Sequence, residues 1–283
     1  MTYRTILVNF QDTKRAPVLI KYAVALAERH NAHLTGLFVM PVTDAFPFYA
    51  PMPVQISTEL WESQRQQFAD VASEIENQFL GAADKAGVQC EWRTVDAQSP
   101  LLADTVVEHA RSVDLVVVGQ PEPENLWEAW AAVPEQLLME SGRPVLVVPY
   151  AGTFDAAAKH VMVAWNGTRE SARATFDAMP FLQGAGEVRI LSVNIEAGNN
   201  RNGFTPGDDI AISLARHDIK AEAGQTINGG LSVGDELLSR AADYGTELLV
   251  MGGYGHGKVY ESLFGGATRH ILRHMTMPVL MAH

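Results

Sequence analysis

The sequence Glu247-Leu-Leu-Val-Met-Gly-Gly-Tyr-Gly-His-Gly257 joins an apolar run directly to a cluster of glycines. Nine residues separate Gly255 from a second cluster, Gly265-Gly266-Ala267-Thr268, which leads into the amphipathic segment 269–274. This order predicts a buried strand, a glycine-rich turn and the start of a helix. Glycine lets a backbone approach a ligand closely, and the first N–H groups of a helix lack intrahelical partners. The segment therefore predicts a site for a phosphate group.

Strand and helix patterns alternate along the chain, and the order of the first half is repeated in the second. The segment Asp114–Gly119 corresponds to Glu247–Gly252, and Arg143–Val148 corresponds to Met277–Ala282. Alternating strands and helices predict crossover connections and a mostly parallel sheet in each half. We therefore expect two α/β domains, residues 1–150 and 151–283, joined through the small and polar segment 150–158.

Apolar runs and periodicity give the individual elements. The predicted strands are 5–8, 34–39, 89–94, 114–119, 144–149, 160–164, 187–193, a segment near 225, 247–252 and 278–282. The predicted helices are 16–29, 60–86, 101–112, 170–181, a segment ending near 217, and 234–242. Two long connections, 41–57 and 194–208, are expected at the carboxyl edges of the sheets, where doubly wound folds bind ligands. A binding role and a tolerated surface insertion both remain open for them.

Composition excludes several classes of protein. The formal net charge of the 283-residue chain is -12, so nucleic acid is not expected as the main partner. The single cysteine, Cys90, cannot form an intrachain disulfide, which fits a reducing compartment. No stretch approaches the ~20 apolar residues of a membrane span, and the N-terminal apolar run is too short for a signal peptide. We expect a cytoplasmic protein with no membrane partner.

With these motifs the chain resembles a tandem member of the universal stress protein family. The nucleotide-binding branch of that family carries G-x2-G-x9-G-[ST] after its fourth strand, and this chain has Gly252-x2-Gly255-x9-Gly265. Gly266 replaces the hydroxyl residue, Thr268 follows two residues later, and Pro278 precedes an apolar last strand, as in the family. The resemblance implies two flavodoxin-like domains of the adenine nucleotide alpha hydrolase type, with strand order 3-2-1-4-5. It also implies that their fifth strands pair in an internal pseudo-dimer.

The same resemblance implies an adenine nucleotide, such as ATP, ADP or AMP, with Mg2+ as its accompanying ion. Family members that bind ATP usually have Asp where this chain has Asn166, which leaves the nucleotide's identity open. A homodimer of the tandem chain is one candidate assembly. The adenine region falls on Ala164, Trp165, Asn166 and Val193, and the ribose and phosphate region on Met251, Gly252, Gly255, His256, Gly265, Gly266, Ala267 and Thr268.

The corresponding loop of the first half is unsuited to phosphate. When Gly119 is aligned with Gly252, the later site positions become Glu122, Ala132, Val133, Pro134 and Glu135. Proline has no N–H to donate, β-carbons crowd the approach, and carboxylates repel phosphate. We predict that the first half is a structural or regulatory pseudo-site.

Other motifs give weaker support for a functional site. The segment Gly252-x4-Gly257-Lys258 nearly matches a P-loop, but Val259 replaces the hydroxyl residue that binds magnesium. His270 and His274 have no obvious third metal ligand, so a solvated or interface face is the interpretation of that pair, and no metal site is expected. His256 could contact phosphate or simply fill the turn.

Three hypotheses for function follow. The first is a stress-response protein that binds adenine nucleotide in its C-terminal half and acts by binding rather than turnover, with no catalytic residue. The second is a slow ATP hydrolase or phosphotransferase, for which His256 and Thr268 are the nearest candidates to touch the γ-phosphate. The third is a module that binds another small ligand or a protein partner without nucleotide.

Overall fold

A computed structural model describes residues 2–41, 58–99, 101–121, 132–194, 207–255 and 266–283. Most of the two long loops, including 42–57 and 195–206, lies outside these ranges. Contacts divide the chain into two compact units, residues 3–141 and residues 142–283 together with the first two residues. No helix among the described residues is long and apolar enough to cross a membrane.

The first unit is an α/β unit with a parallel sheet. Its strands are adjacent in the order β3-β2-β1-β4, and every pairing is parallel. Leu115–Val118 of β4 are fully buried, as expected for a strand covered on both faces. In chain order the elements are β1 (Thr5–Phe10), α1 (Ala16–His30), β2 (His33–Met40), α2 (Thr58–Ala86), β3 (Cys90–Asp96), α3 (Leu102–Ala110), β4 (Leu115–Gly119) and α4 (Val133–Glu140).

The second unit has the predicted strand order in full. Its strands follow the order β8-β7-β6-β9-β10 with parallel pairings, and β5 pairs antiparallel with β10 through Val147 and Val279. The expected pairing of the two fifth strands is therefore present. In chain order the elements are β5 (Val145–Val148), β6 (His160–Ala164), α5 (Arg169–Asp177), α6 (Met179–Leu182), β7 (Glu187–Val193), α7 (Asp208–Ala215), β8 (Ala221–Thr226), α8 (Val233–Asp243), β9 (Leu248–Gly252), α9 (Gly266–His274) and β10 (Val279–Ala282).

Two helices differ from expectation. The predicted helix 170–181 is two helices, α5 and α6, because Pro180 lacks the N–H that a continuous helix needs at that position. Helix α4 was not predicted from periodicity, although Pro134 in its first turn is a common feature of helix starts.

An acidic residue holds the start of the central strand in each unit. In the first unit, Asp114 Oδ2 accepts the backbone N–H groups of Arg4 at 2.7 Å and Thr5 at 3.0 Å. In the second, Glu247 Oε2 accepts those of Lys159 and His160. Asp114 and Glu247 occupy matching positions of the repeat, just before β4 and β9. The sequence repeat therefore corresponds to a repeated contact as well as to a repeated order of elements.

Aromatic packing in the first unit depends on a glycine. Gly36 of β2 lies under Trp92, which packs against Phe10 and Phe79 with ring centroids 5.6 Å away in both cases. A Cβ at position 36 would lie 2.5 Å from Trp92 Cε3 and 3.2 Å from Phe79 Cε1. Trp92 is thus a packing residue of the first unit.

We predict that Gly36→Ala lowers the free energy of unfolding by about 1–3 kcal/mol, because the added methyl group must displace packed rings. Gly81→Ala is the matched control, since no atom lies within 4 Å of a Cβ at that position of α2. The control should raise stability by about 0.5–1 kcal/mol through helix propensity. Chemical denaturation measures both changes, and equal stabilities for the two variants would contradict the packing assigned to Gly36.

Candidate ligand site at the glycine-rich turn

Three of the predicted site residues end adjacent strands: Ala164 ends β6, Val193 ends β7 and Gly252 ends β9. Ala164, the last residue of β6, is in register with Leu191 of β7 and Met251 of β9. The chain leaves β6 toward β7 on one side, while β9 lies on the other side. This is the switch point of a doubly wound sheet, where a crevice forms beyond the strand ends.

Gly252 ends β9 in direct contact with the first turn of α5. A Cβ at Gly252 would lie 2.6 Å from both the Glu170 carbonyl carbon and the Ser171 nitrogen. Because these are backbone atoms, no side-chain rotation could relieve the overlap. Gly252 is therefore required for strand and helix to pack, whatever the turn binds.

Helix α5 begins with a well-formed cap. Thr168 is the N-cap, and its Oγ1 accepts the Ser171 N–H at 3.4 Å. Asn166 Oδ1 in turn accepts the Thr168 N–H at 3.2 Å and lies 2.8 Å from Thr168 Oγ1. The side-chain oxygen of Asn166, expected near the adenine, is thus engaged in fixing the loop that leads into the helix.

Glu170 places a carboxylate against the glycine turn. Its Oε2 lies 2.8 Å from the position that a Cβ would take at Gly255, and only 5% of the residue is exposed. Its Oε1 accepts Nε and Nη2 of Arg169, each at 3.0 Å. Burial by itself raises the pKa of Glu170, but its own backbone N–H, the Thr168 side chain and Arg169 outweigh burial and hold the pKa below its ordinary value. The carboxylate is therefore ionised at neutral pH.

Thr268 joins the turn to helix α9. Its hydroxyl accepts the Tyr254 N–H at 3.3 Å, and the residue is 4% exposed. Tyr254 has a left-handed backbone with φ +52°, so this bond supports a strained turn. The hydroxyl that the sequence suggested for phosphate thus lies inside the fold. Gly266, at the start of α9, is exposed, and no atom of the described residues lies within 4 Å of a Cβ position there.

Apolar residues lie at the carboxyl ends of β6 and β7. The backbone N–H of Trp165 donates to the Leu191 carbonyl at 2.9 Å, and the ring Cδ1 lies 3.8 Å from a Cβ position at Gly207. Val193 ends β7 and is half-buried. Trp165 is therefore beside the start of α7 at the strand ends, in the region assigned to the base.

His270 of α9 contacts α8. His270 Nε2 lies 2.8 Å from Asp235 Oδ1, and the His270 and His274 rings stack at 4.3 Å. The pKa of Asp235 is lowered, chiefly by the Ser232 hydroxyl and also by His270. His270 is thus a contact between helices rather than a fully solvated side chain. Within the described ranges, no three His, Cys, Asp or Glu side chains are placed to hold a metal ion.

His256 and Gly265 lie outside the described residues, and nothing follows here about their contacts. Of the remaining predicted residues, Ala164 and Met251 are register neighbours, and Gly252, Gly255 and Thr268 converge at the turn. Ala267 is half-buried in the first turn of α9. Two residues of the candidate site, Thr168 and Glu170, were not predicted from the sequence. The Thr-x-x-Ser spacing could have indicated the cap, whereas the position of Glu170 depends on contacts with residues more than 80 positions away.

The first unit differs at the corresponding helix. Helix α4 begins at Val133 and α9 begins at Gly266, the positions that the sequence alignment pairs. Val133 and Pro134 are buried in α4, where the second unit has exposed Gly266 and half-buried Ala267. Residues 122–131, including Glu122, lie outside the described ranges.

We predict that Gly252→Ala lowers the free energy of unfolding by about 1–3 kcal/mol, because its methyl group would overlap the backbone of α5. Gly266→Ala, whose methyl group would meet no atom of the described residues, should leave stability unchanged or raise it by up to about 1 kcal/mol. Thermal or chemical denaturation distinguishes the two variants. A Gly252→Ala protein as stable as the parent would rule out the close contact between β9 and α5.

Comparisons with known proteins agree with this architecture. The crystal structure of a universal stress protein from Archaeoglobus fulgidus DSM 4304 superposes with a TM-score of 0.74 at 14% identity, covering 98% of this chain and 95% of the other. A functionally unknown protein from Pseudomonas aeruginosa PAO1 gives a TM-score of 0.62 at 13% identity, covering 99% and 92%. At such identities the likeness concerns the fold alone.

The sequence comparisons give the family. No curated protein sequence matches the chain. The sequence profile described as "Universal stress protein family" matches residues 2–149, slightly more than half of the chain. The chain therefore belongs to the universal stress protein family.

Proposed function

We propose that residues 151–283 form a second universal stress protein domain that binds an adenine nucleotide. The observation that carries the proposal is the contact between Thr268 and Tyr254, which joins the first turn of α9 to the glycine turn after β9. It brings the N-terminal end of a helix beside a turn at the carboxyl edge of the sheet. Helix N-termini of this kind favour anions through their N–H groups and dipole.

The surrounding residues fit such a ligand. Gly255 and Gly266 are exposed and have no side chains to block approach, and the first turn of α9 has no acidic residue. Ala164, Trp165, Val193 and Met251 supply apolar surface for a base. Asn166, engaged with Thr168, would contribute its amide N–H groups rather than its oxygen. Glu170 opposes phosphate, and a bound Mg2+ would reduce that repulsion.

We further propose that the domain in residues 1–150 does not bind nucleotide and acts structurally or as a regulatory partner. Pro134 in the first turn of α4 supports this, because it removes one of the N–H groups that α9 retains. The protein would act in the cytoplasm in response to stress, through binding rather than turnover. For phosphotransfer, the buried Thr268 hydroxyl is already engaged with Tyr254 and gives no support.

We predict that one mole of AMP or ADP binds per mole of chain, because only the second domain retains the glycine turn. Isothermal titration calorimetry gives the stoichiometry directly. At a ligand concentration of about 100 times Kd, binding should stabilise the fold by about 2.7 kcal/mol, which appears as a higher Tm. Two moles bound per chain would contradict the assignment of the first domain, and the absence of any shift would contradict the function itself.

We predict that Gly255→Glu weakens adenine nucleotide binding at least tenfold, because it adds a second carboxylate at the turn. Gly81→Glu is the matched control, since it makes the same change of charge at an exposed position of α2 with no neighbour within 4 Å. Titration of both variants with the same nucleotide checks the prediction. Equal losses of nucleotide affinity in the two variants would show that the net charge of the protein, and not the glycine turn, governs binding.

A further inference from the structure

The side chain of Glu170 runs along the glycine turn. Its Cβ lies 2.9 Å from a Cβ position at Gly252, and its Oε2 lies 2.8 Å from a Cβ position at Gly255. Since a carbon–carbon bond is about 1.5 Å long, Oε2 is within about 4.3 Å of the Gly255 Cα. A ligand phosphate that contacts the backbone of this turn would therefore approach the carboxylate.

The charge on Glu170 is retained and weakly screened. Only 7% of its side chain is exposed, so solvent ions reach it poorly. Its pKa is lowered, which keeps the group ionised at neutral pH. Arg169 compensates from the Oε1 side, but 76% of the Arg169 side chain is exposed, so water screens much of that positive charge.

Two opposed charges therefore act on an anion at this turn. The N-terminal end of α9 contributes the equivalent of roughly half a positive charge. The carboxylate of Glu170, partly compensated by Arg169, contributes negative charge beside Gly255. A single phosphate at the helix end can gain from the first and lie away from the second, whereas each added phosphate increases the repulsion.

Resting on the function proposed above, we propose that Glu170 sets the charge preference of the site. The site takes AMP in preference to ADP and free ATP, and a triphosphate enters only with a divalent cation that offsets the carboxylate. Glu170 is thus a residue that determines specificity, and the ion pair with Arg169 reduces the repulsion that its carboxylate exerts on a phosphate.

Calorimetric titration at low ionic strength with adenosine, AMP, ADP and ATP, each with and without Mg2+, tests the proposal. For the parent protein without Mg2+, affinity should fall about tenfold from AMP to ATP, the size expected for two additional unit charges held several ångströms from a carboxylate. Mg2+ should recover most of this loss for ATP. Affinities that are equal, or that rise from AMP to ATP without Mg2+, overturn the proposal even if no variant folds.

Glu170→Gln should raise the affinity for free ATP about tenfold and change that for adenosine by less than twofold. The matched control is Glu236→Gln, because Glu236 is also buried and accepts Thr226 Oγ1 at 2.7 Å and Arg240 Nε at 2.9 Å. Glu236 lies on α8, and its carboxylate bonds Thr226 at the end of β8 instead of lying against Gly255 as Glu170 does. The Glu236→Gln protein should bind AMP, ADP and free ATP in the same order of affinity as the parent protein.

The outcomes separate this inference from the function on which it rests. If no adenine ligand binds the parent protein, the proposed function fails and the inference fails with it. If ligands bind but Glu170→Gln leaves free ATP affinity unchanged, or raises adenosine and ATP affinity equally, only the inference fails. If Glu236→Gln raises the affinity for free ATP as much as Glu170→Gln does, the inference is also overturned. The affinity would then depend on the net charge of the protein and not on the position of Glu170.

Discussion

The candidate site depends on the contact between the end of β9 and the first turn of α5. Gly252 allows this contact, because a Cβ there would lie 2.6 Å from the backbone of Glu170 and Ser171. The Thr168 cap fixes where the helix starts, and the helix in turn holds Glu170 against Gly255. The position of α5 thus determines both the shape of the glycine turn and the negative charge beside it. Gly252, the first glycine of the G-x2-G-x9-G motif, is thus a packing residue of the sheet.

The two units share one plan but differ at one helix start. Asp114 and Glu247 bind the starts of β1 and β6 in the same way, and α4 and α9 begin at aligned positions. The difference lies in the first turn of that helix, where Val133 and Pro134 replace Gly266 and Ala267. A fold tolerates such replacement because the strands, which hold the core, are unaffected.

Much of the fold was accessible from the sequence, because burial on both faces gives strands continuous apolar runs. Strands 160–164 and 187–193 were predicted to the residue, and most other bounds agree within two positions. Helix α4 was missed, because its eight residues give a short apolar pattern that periodicity identifies poorly. Strand β5 was assigned by the repeat to the first half, yet its contacts group it with the second unit through its pairing with β10.

The sequence by itself determined the duplicated α/β order, the positions of the glycines and the loss of the motif in the first half, because each of these is written in local spacing and residue type. The tertiary structure alone decided that Thr268 faces Tyr254 and that Glu170 lies against Gly255. These contacts join residues 14 and 85 positions apart, so no local pattern encodes them. The second contact arises only when parallel pairing of β6 and β9 aligns the carboxyl ends of the two strands.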